Sequence, residues 1–418
     1  MLQSNSSQRD RGARDVASSR DSGSHHLNYS SLPGQPPELT VQVVRSLEGV
    51  AELKADFARL QAATGNTLPF ALFEWQLTWC RHFRRQGPAV ADEPMFHVVR
   101  DSDGNCVAIV PLILTRRRVG MFKIVSLALL GADPAITEIR TSLVQPGYAD
   151  RVAGALSHSL PKDGEWDWIH WSGMCDEFCA ALGRHRGLEW LPAPPSYVLD
   201  LPPTWEAFRA GLKRNIRESL RHCYNSLKRD GHTFQLKLAT SPDSVHAALE
   251  RLFVLHALRA DMPGSIPHPN HFAGVAVRGF LHEVCAELAA RDVVRVFELE
   301  IEGRVVASRI GFVVGDSLYL YYSGFDPEWS KYSVMTTTVA EAIKYAIEHG
   351  FTTVNLSAGN DVSKTRWGPR EERHQIADEH GSRLRSRLIG HAYFKARSRA
   401  GLQGWLLNRL LPGRRHWD

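Results

Sequence analysis

Segment 355–368, NLSAGNDVSKTRWG, holds side chains suited to binding a ligand. A β-prone run, FTTVNLS, ends there in small polar residues, and Lys364 and Trp367 follow. A lysine can hold a phosphate or a carboxylate, and an indole can wall off an acyl chain or a sugar ring. The segment therefore predicts the rim of a binding site. The alternative is an ordinary turn whose Trp367 is tucked into the core.

Three tyrosines in four positions mark the run SLYLYYS over residues 317–323. Strand alternation predicts Tyr319 and Tyr321 on one face, and Tyr322 on the other face with Leu318 and Leu320. This is more hydroxyl groups than a core needs, because each buried hydroxyl requires a partner. We predict that one of these tyrosines acts as a general acid or orients a nucleophile.

Two carboxylates, Glu298 and Glu300, share one face of the neighbouring predicted strand VVRVFELEI. Burial raises the pKa of a carboxyl group, so either residue could serve as a general base if it were partly enclosed. The alternative is that at least one of them is an edge carboxylate in water.

A basic ridge is predicted on one long helix over residues 205–229. Lys213, Arg217 and Arg221 recur every four residues, and Arg214 lies beside them. Like charges at this spacing repel one another, so the pattern favours a groove for phosphates. A solvated basic face would give the same pattern.

A second phosphate site is predicted where the helix VMTTTVAEAIKYAIEHG begins. A helix N-terminus has unpaired N–H groups and a partial positive charge, and both suit a pyrophosphate. Lys331 precedes the first turn, and Ser333 is the expected N-cap. The first turn has no glycine that would let a phosphate approach the backbone closely.

The elements that must position these side chains occur twice. A hairpin is predicted for MFHVVRDSDGNCVAIVPLIL, turning at residues 101–105, and a similar one for VFELEIEGRVVASRIGFVV. The runs WDWIHWSG and FTTVNLSAG each follow a helix and each end in a serine near a glycine. The pattern predicts one β-β-α-β unit used twice.

Composition narrows the classes of protein. With 418 residues, 43% apolar and 23% charged, the chain is long enough for two domains with real cores. Residues 1–38 lack an apolar signal region and predict a disordered leader. Six scattered cysteines indicate a reducing compartment, and no metal site is predicted. The net charge is +5, and segment 381–418 has nine basic residues and one acid, which predicts a basic amphipathic tail.

The order of elements resembles the GNAT superfamily of N-acyltransferases, and most of all its CelD-like, cellulose-biosynthesis branch. Fem-type aminoacyl transferases, which also pair two GNAT units, are more distant. The likeness is carried by LKRNIRESLRHCYNSLKRDG, VFELEIEGRVVASRIGFVVGDSLYLYYSGFDPEWSKYS and SKTRWG, with FEWQLTWCRHF and CVAIVPLILTRRR in the first half. It implies an α+β fold of two tandem GNAT-like domains, each a mixed, mostly antiparallel sheet flanked by helices. The implied domains are 39–200 and a catalytic 201–380.

The resemblance also implies a thioester donor, most simply acetyl-CoA, lying between two splayed parallel strands. Its pyrophosphate would rest on residues Lys331, Tyr332, Ser333, Val334 and Met335. The implied catalytic residues are Tyr322 as acid, Glu298 as base, and Lys364. The implied substrate contacts are Arg214, Arg217, Arg221, Asn355 and Trp367. The sequence departs from the family at Val334, where glycine is usual, and at Asn355, where an acid is usual.

The expected function is transfer of an acyl group from acyl-CoA to an amine or hydroxyl. The expected acceptor is a small-molecule or lipid-linked precursor of a cell-surface polysaccharide or amino sugar. The expected location is cytoplasmic, with membrane contact through the tail. One alternative is a Fem-like transferase that takes an aminoacyl group from tRNA, since the basic ridge also suits nucleic acid. Another is a non-catalytic GNAT fold that binds an anionic partner or a membrane face.

Overall fold

The computed structural model describes residues 39–132, 136–161, 165–174, 177–262 and 269–397. The predicted leader and the part of the tail beyond residue 397 lie outside those ranges. None of the helices in them is both long and apolar enough to cross a bilayer.

The first half, residues 39–200, contains the first of the two predicted hairpins, formed by β2 and β3. Its elements are, in chain order, β1 (Thr40–Val44), α1 (Leu47–Glu52), α2 (Lys54–Thr64), a 3-10 turn (Pro69–Ala71), α3 (Phe73–Phe83), β2 (Val90–Arg100), β3 (Cys106–Val119), β4 (Phe122–Leu129), β5 (Leu143–Val144), α4 (Ala149–Ser159), β6 (Trp168–Met174), α5 (Glu177–Arg186) and β7 (Leu191–Asp200).

The second half, residues 201–397, begins with two helices where one was predicted. Its elements are α6 (Trp205–Gly211), α7 (Arg214–Arg229), β8 (Phe234–Ala239), α8 (Pro242–Ala260), α9 (Val275–Ala289), β9 (Val294–Ile301), β10 (Arg304–Val314), β11 (Ser317–Phe325), a 3-10 turn (Pro327–Tyr332), α10 (Val334–Glu348), β12 (Thr353–Ala358), α11 (Val362–Thr365), β13 (Arg370–His380) and α12 (Leu384–Arg397).

The single long helix predicted over 205–229 is wrong at its centre. Leu212 and Lys213 have extended backbone, with ψ of 150° and 146°, so the helix stops at Gly211 and restarts at Arg214. Glycine is a poor helix former, and here it ends the first helix. Arg214, Arg217 and Arg221 nevertheless remain on one helix, α7, and Lys213 is its N-cap.

The described strands form one sheet in the order β1-β2-β3-β4-β6-β13-β7-β12-β11-β10-β9-β8, with β5 beside β3. The sheet is mostly antiparallel. Parallel pairing occurs twice, between β4 and β6 and between β11 and β12. The predicted repeat is therefore confirmed: strands β1–β4 and β6 occupy the same relative places as β8–β11 and β12.

The two halves exchange their last strands. β7 belongs to the first half but pairs with β12, and β13 lies between β6 and β7. The sequence analysis did not predict β13, because its sequence REERHQIADEH is polar. Two of its carboxylates have partners on neighbouring elements, where Glu379 accepts from Arg186 of α5 and Asp378 contacts His170 of β6.

A shared core joins the halves on the sheet face that carries α3, α8 and α9. Phe70 and Trp75 of the first half pack edge-to-face against Tyr321 of the second half. Gly324 of β11 lies so close to α8 that a Cβ there would stand 2.3 Å from the backbone nitrogen of His256. This close approach fixes α8 directly against the strand that carries the tyrosines.

Candidate active site

Strands β11 and β12 pair only briefly before they separate. Their parallel register covers three residue pairs and ends at Tyr319 opposite Asn355. Beyond that point Ser357 has a positive φ of 73°, and its N–H donates to Asn355 Oδ1 at 2.9 Å. The carboxyl ends of the two strands therefore leave the ladder, and we call the place between these unpaired ends the crevice.

A β-bulge lies in β11, within its ladder to β10. Arg309 pairs with Ser323, but Gly311 pairs with Leu320, so β11 has one more residue than β10 in this interval. A bulge leaves one residue outside the ladder and redirects its neighbours. The equivalent pairing in the first half, β3 with β4, runs without interruption from Leu112 to Val119. The bulge thus distinguishes the second half from the first.

The bulge overturns the predicted alternation of the tyrosines. Leu318 and Leu320 pack on the α10 face, as predicted, but Tyr322 joins Tyr319 and Tyr321 on the opposite face. The Tyr322 ring lies 4.5 Å from the Tyr321 ring. It also packs against His256, His271 and Phe272, and burial raises its pKa.

Glu138 of the first half reaches the point where β11 and β12 separate. Its Oε2 accepts from the Tyr319 hydroxyl of β11 at 2.5 Å. Its carboxylate also accepts from the backbone N–H of Ala358 on β12. Burial raises the pKa of Glu138, against the opposing effects of the Lys364 ammonium and these two hydrogen bonds. The carboxyl group therefore bridges the two diverging strands.

The loop that carries Glu138 is held by contacts on both sides. The Tyr321 hydroxyl donates to the carbonyl of Ile136, and Trp75 Nε1 donates to Thr137 Oγ1 at 3.0 Å. Gly131, with φ of 93°, packs so tightly on Thr137 that a Cβ there would clash at 2.7 Å. The position of Glu138 is consequently fixed by the shared core.

Cations surround this carboxylate. Lys364 Nζ donates to the carbonyls of Ala358 and Gly359, and burial lowers the pKa of Lys364 while Glu138 opposes that shift. Burial likewise lowers the pKa of Arg309 to about 10. Glu138, Lys364 and Arg309 each retain some exposure to solvent.

Arg259 and Asp361 complete the cluster. Arg259 Nη1 donates to Ser323 Oγ at 3.4 Å, and Asp361 caps α11 by accepting from the Ser363 N–H at 2.8 Å. Burial opposes ionisation of Asp361, but the N–H of Ser363 and the charges of Lys364 and Arg259 hold its pKa below the usual value.

Glu298 lies in a different environment. Its side chain is 4% exposed, and its two oxygens accept from Arg251 Nε at 2.6 Å and Nη2 at 2.8 Å. Arg251 belongs to α8, so the pair fastens that helix to β9. Glu300 likewise accepts from Gln235 and Lys237 of β8. Glu298 and Glu300 thus each link β9 to a neighbouring element.

The predicted pyrophosphate cradle forms the start of α10. Ser333 has a positive φ of 54°, and Lys331 is exposed with its Nζ 4.6 Å from the Tyr332 ring centroid. Tyr332 and Val334 are buried, while Met335 is half-buried. The sequence analysis missed Arg366, whose Nη2 donates to Ser219 Oγ of α7 at 2.8 Å and whose Nη1 contacts Thr336 Oγ1 at 3.5 Å.

The remaining predicted residues separate into surface and core. Arg214, Arg217 and Arg221 are exposed on α7; Arg214 pairs with Glu218 at 2.9 Å, and Arg217 donates to the Ala210 carbonyl at 2.9 Å. Asn355 is buried at the end of the β11–β12 ladder. Trp367 is buried in the core that α6, α7 and α10 share.

Glu138 and Arg309 are the principal residues that sequence reasoning missed. Glu138 lies in an irregular loop 181 residues before its partner Tyr319, so no local spacing indicates it. Arg309 offered one signal, because it is a charged residue within the apolar run RVVASRIGFVV. A charge in a predicted central strand requires a partner, and that requirement points to a site.

Comparisons with known proteins agree with this architecture. Residues 214–365 match the family model described as acetyltransferase (GNAT) domain. That range runs from the first residue of α7 to the last of α11 and leaves out Glu138. A comparison with curated proteins finds no match.

Several solved structures are similar to this chain. FemX is 11% identical over 78% of this chain and 95% of that chain, with a TM-score of 0.52. The C-terminal domain of a putative lysylphosphatidylglycerol synthetase from Agrobacterium fabrum is 14% identical over 83% and 96%, with a TM-score of 0.48. A tandem GNAT protein from the clavulanic acid biosynthesis pathway is 13% identical over 82% and 99%, with a TM-score of 0.39. Residues 214–365 are thus similar to a GNAT-type acetyltransferase domain, and the chain has a fold similar to that of FemX.

Proposed function

We propose that the second half, residues 201–380, is the catalytic domain of an acyl-CoA-dependent acyltransferase, and that the first half completes its site. The observation that carries this proposal is the convergence of Glu138, Lys364 and Arg309 where β11 and β12 separate. Ionisable groups with perturbed pKa values in a crevice are typical of catalytic sites.

In the proposed reaction Glu138 replaces Glu298 as the general base. The carboxylate takes a proton from an acceptor amine or hydroxyl, whose lone pair then attacks the thioester carbonyl. Backbone N–H groups at the β11 bulge would stabilise the oxyanion. The carbon–sulfur bond breaks, and Tyr322 gives its proton to the departing thiolate.

The other groups position the substrates. Lys364 and Arg309 supply positive charge beside Glu138, which favours its ionised form. The start of α10, with Lys331 and Arg366 nearby, would receive the pyrophosphate of CoA. In keeping with the CelD-like resemblance, the acceptor is a precursor of a cell-surface polysaccharide or amino sugar, modified on the cytoplasmic side.

The direct test is binding of the donor. Acetyl-CoA added in excess should raise the melting temperature of the wild-type protein, because a ligand that binds only the folded state stabilises it. Lys331→Gln with Arg366→Gln should lose most of that increase, whereas Arg59→Gln with Lys228→Gln, two exposed cations elsewhere, should keep it. No stabilisation by acetyl-CoA or by longer acyl-CoA thioesters would exclude the proposal.

A second candidate donor is an aminoacyl-tRNA, which the exposed basic row on α7 favours. A tRNA would contact these arginines through its phosphates, so its affinity would fall steeply with salt. The triple variant Arg214→Gln, Arg217→Gln, Arg221→Gln should then weaken tRNA binding and flatten its dependence on salt. Retention of full tRNA affinity by the triple variant would exclude this candidate.

A further inference from the structure

The first half has a basic cavity that the acyl-transfer reaction does not use. It has a volume of about 390 Å³, at the low end of ligand pockets. Its basic lining residues come from β3, β4, the end of β1 and the start of α12: Arg45, Arg116, Lys123, Arg383 and Arg385.

Three acidic residues lie in or beside this cavity: Asp167, Glu93 and Glu165. Asp167 accepts from the Val125 N–H at 2.8 Å and from Ser386 Oγ at 2.9 Å. Outside the lining, Glu93 accepts from both Arg45 and Arg116. The five basic lining residues therefore exceed the three carboxylates Glu93, Asp167 and Glu165 by two positive charges. A concave surface with excess guanidinium and ammonium groups suits a phosphate.

Large apolar side chains project into solvent beside the cavity. Met121 is 99% exposed and Phe122 is 65% exposed at the turn between β3 and β4, directly before Lys123. Leu384 and Leu388 of α12 are 74% and 62% exposed, on either side of Arg385 and Arg387. The Arg385 guanidinium donates to the Lys123 carbonyl, so the turn and α12 form one surface.

Surfaces that lie in the headgroup region of a bilayer typically combine basic residues with exposed apolar residues. A soluble phosphate ligand would explain the cavity but would leave Met121 and Phe122 unexplained. An RNA ligand would favour exposed aromatic residues within the basic groove, but Trp166 of the lining is buried and Phe122 lies on the turn beside the cavity.

We propose that this surface, residues 120–123 and 383–388 with the cavity between them, docks on an anionic phospholipid membrane. Met121 and Phe122 enter the acyl boundary, and the cavity receives a lipid phosphate. Because of the strand directions, the β3–β4 turn lies at the same end of the strands as the carboxyl ends of β11 and β12. The proposal is independent of the acyl-transfer reaction.

Vesicle sedimentation of the full chain tests the surface. Wild-type protein should pellet with vesicles of phosphatidylcholine containing about one third phosphatidylglycerol and remain in solution with phosphatidylcholine alone. Two double variants, Met121→Ser with Phe122→Ser and Lys123→Gln with Arg383→Gln, should each lower the partition coefficient about tenfold. Val275→Ser, at an exposed apolar residue of α9, and Arg59→Gln with Lys228→Gln should bind as wild type does.

The outcomes are distinguishable provided that the variants keep the wild-type melting temperature, which is measured first. If the Met121→Ser, Phe122→Ser protein bound vesicles as strongly as wild type does, the proposal would be overturned, and any membrane contact would lie elsewhere. Stabilisation by inorganic phosphate that Lys123→Gln with Arg383→Gln abolishes, together with no sedimentation, would also overturn it in favour of a soluble phosphate. Binding that ribonuclease removes would assign the surface to RNA and overturn it too.

Discussion

The Tyr319 hydroxyl donates to Glu138 Oε2 at 2.5 Å, although 181 residues separate the two along the chain. Tyr319 is the last residue of β11 that pairs with β12, and Glu138 belongs to the loop between β4 and β5. The carboxylate at the crevice of the second half is thus supplied by the first half. This contact gives a physical reason for the two halves to occur in one chain.

The first prediction concerns Glu138 itself. Glu138→Gln keeps the size of the side chain but removes the proposed base, so kcat/KM should fall by about 10²- to 10⁴-fold. Release of free CoA from acetyl-CoA in the presence of acceptor measures this loss, and melting temperature reports the fold.

The control for this variant is Glu52→Gln, on the exposed surface of α1, which should retain full activity. An unaltered rate in Glu138→Gln would remove the carboxyl group from the mechanism and leave it as a link between the halves.

The second prediction separates Glu298 from Glu138. Glu298→Gln breaks a two-bond pair with Arg251, whose side chain is 45% exposed. Since one partner reaches water, the loss of stability should be modest, about 1–2 kcal/mol. Denaturant unfolding would measure the stability, and the rate per folded molecule should match that of wild type. A rate that collapses while stability is retained would restore Glu298 as the base.

Much of the architecture could be predicted from the sequence, because its elements follow local rules. The turn at 101–105, the meander β9–β11 and the glycine after Thr64 all have short-range signals. The exchange of β7 and β13 between the halves has no such signal. The polar strand β13 lies at the centre of the sheet, where its carboxylates contact residues distant in sequence. The tandem sheet was therefore predictable, but its central strand was not.

The site was predictable only in part for a related reason. Lys364 and Tyr322 were recognised from residue type and from the resemblance, and both lie near the crevice. The position of Tyr322 was nevertheless assigned to the wrong face, because one extra residue in β11 reverses the alternation. A bulge depends on how the strand pairs with its partner. The simple alternation of side chains along one strand therefore cannot reveal it.

The third prediction tests whether Trp367 binds substrate or supports the core. Its side chain is 3% exposed among the residues beneath α10. Trp367→Ala should therefore cost about 3–5 kcal/mol of stability, and Trp367→Phe distinctly less. Chemical denaturation measures both. A Trp367→Ala protein of wild-type stability with a raised KM would instead assign the indole to the substrate.

The fourth prediction is a pH dependence set by the neighbours of Glu138. Burial raises the pKa of this carboxyl, whereas the Tyr319 hydroxyl and the Lys364 ammonium favour its charged form. The base must be ionised, so kcat/KM should fall on the acid side as pH drops through the pKa of Glu138. Tyr319→Phe and Lys364→Met each remove a group that favours ionisation, so each should move that acid limb to higher pH. Lys364→Arg keeps the positive charge and should leave the limb closer to its original position.

The full pH profile distinguishes this coupling from simple loss of structure. If Tyr319→Phe acts through the pKa of Glu138, much of the lost activity returns at alkaline pH, because the base is again ionised there. A disordered crevice would lower the rate equally at every pH. A limb that stays in place in both Tyr319→Phe and Lys364→Met, or that moves to lower pH, would show that Glu138 is not the titrating base. The same measurement in Glu138→Gln should show no acid limb from this group at all.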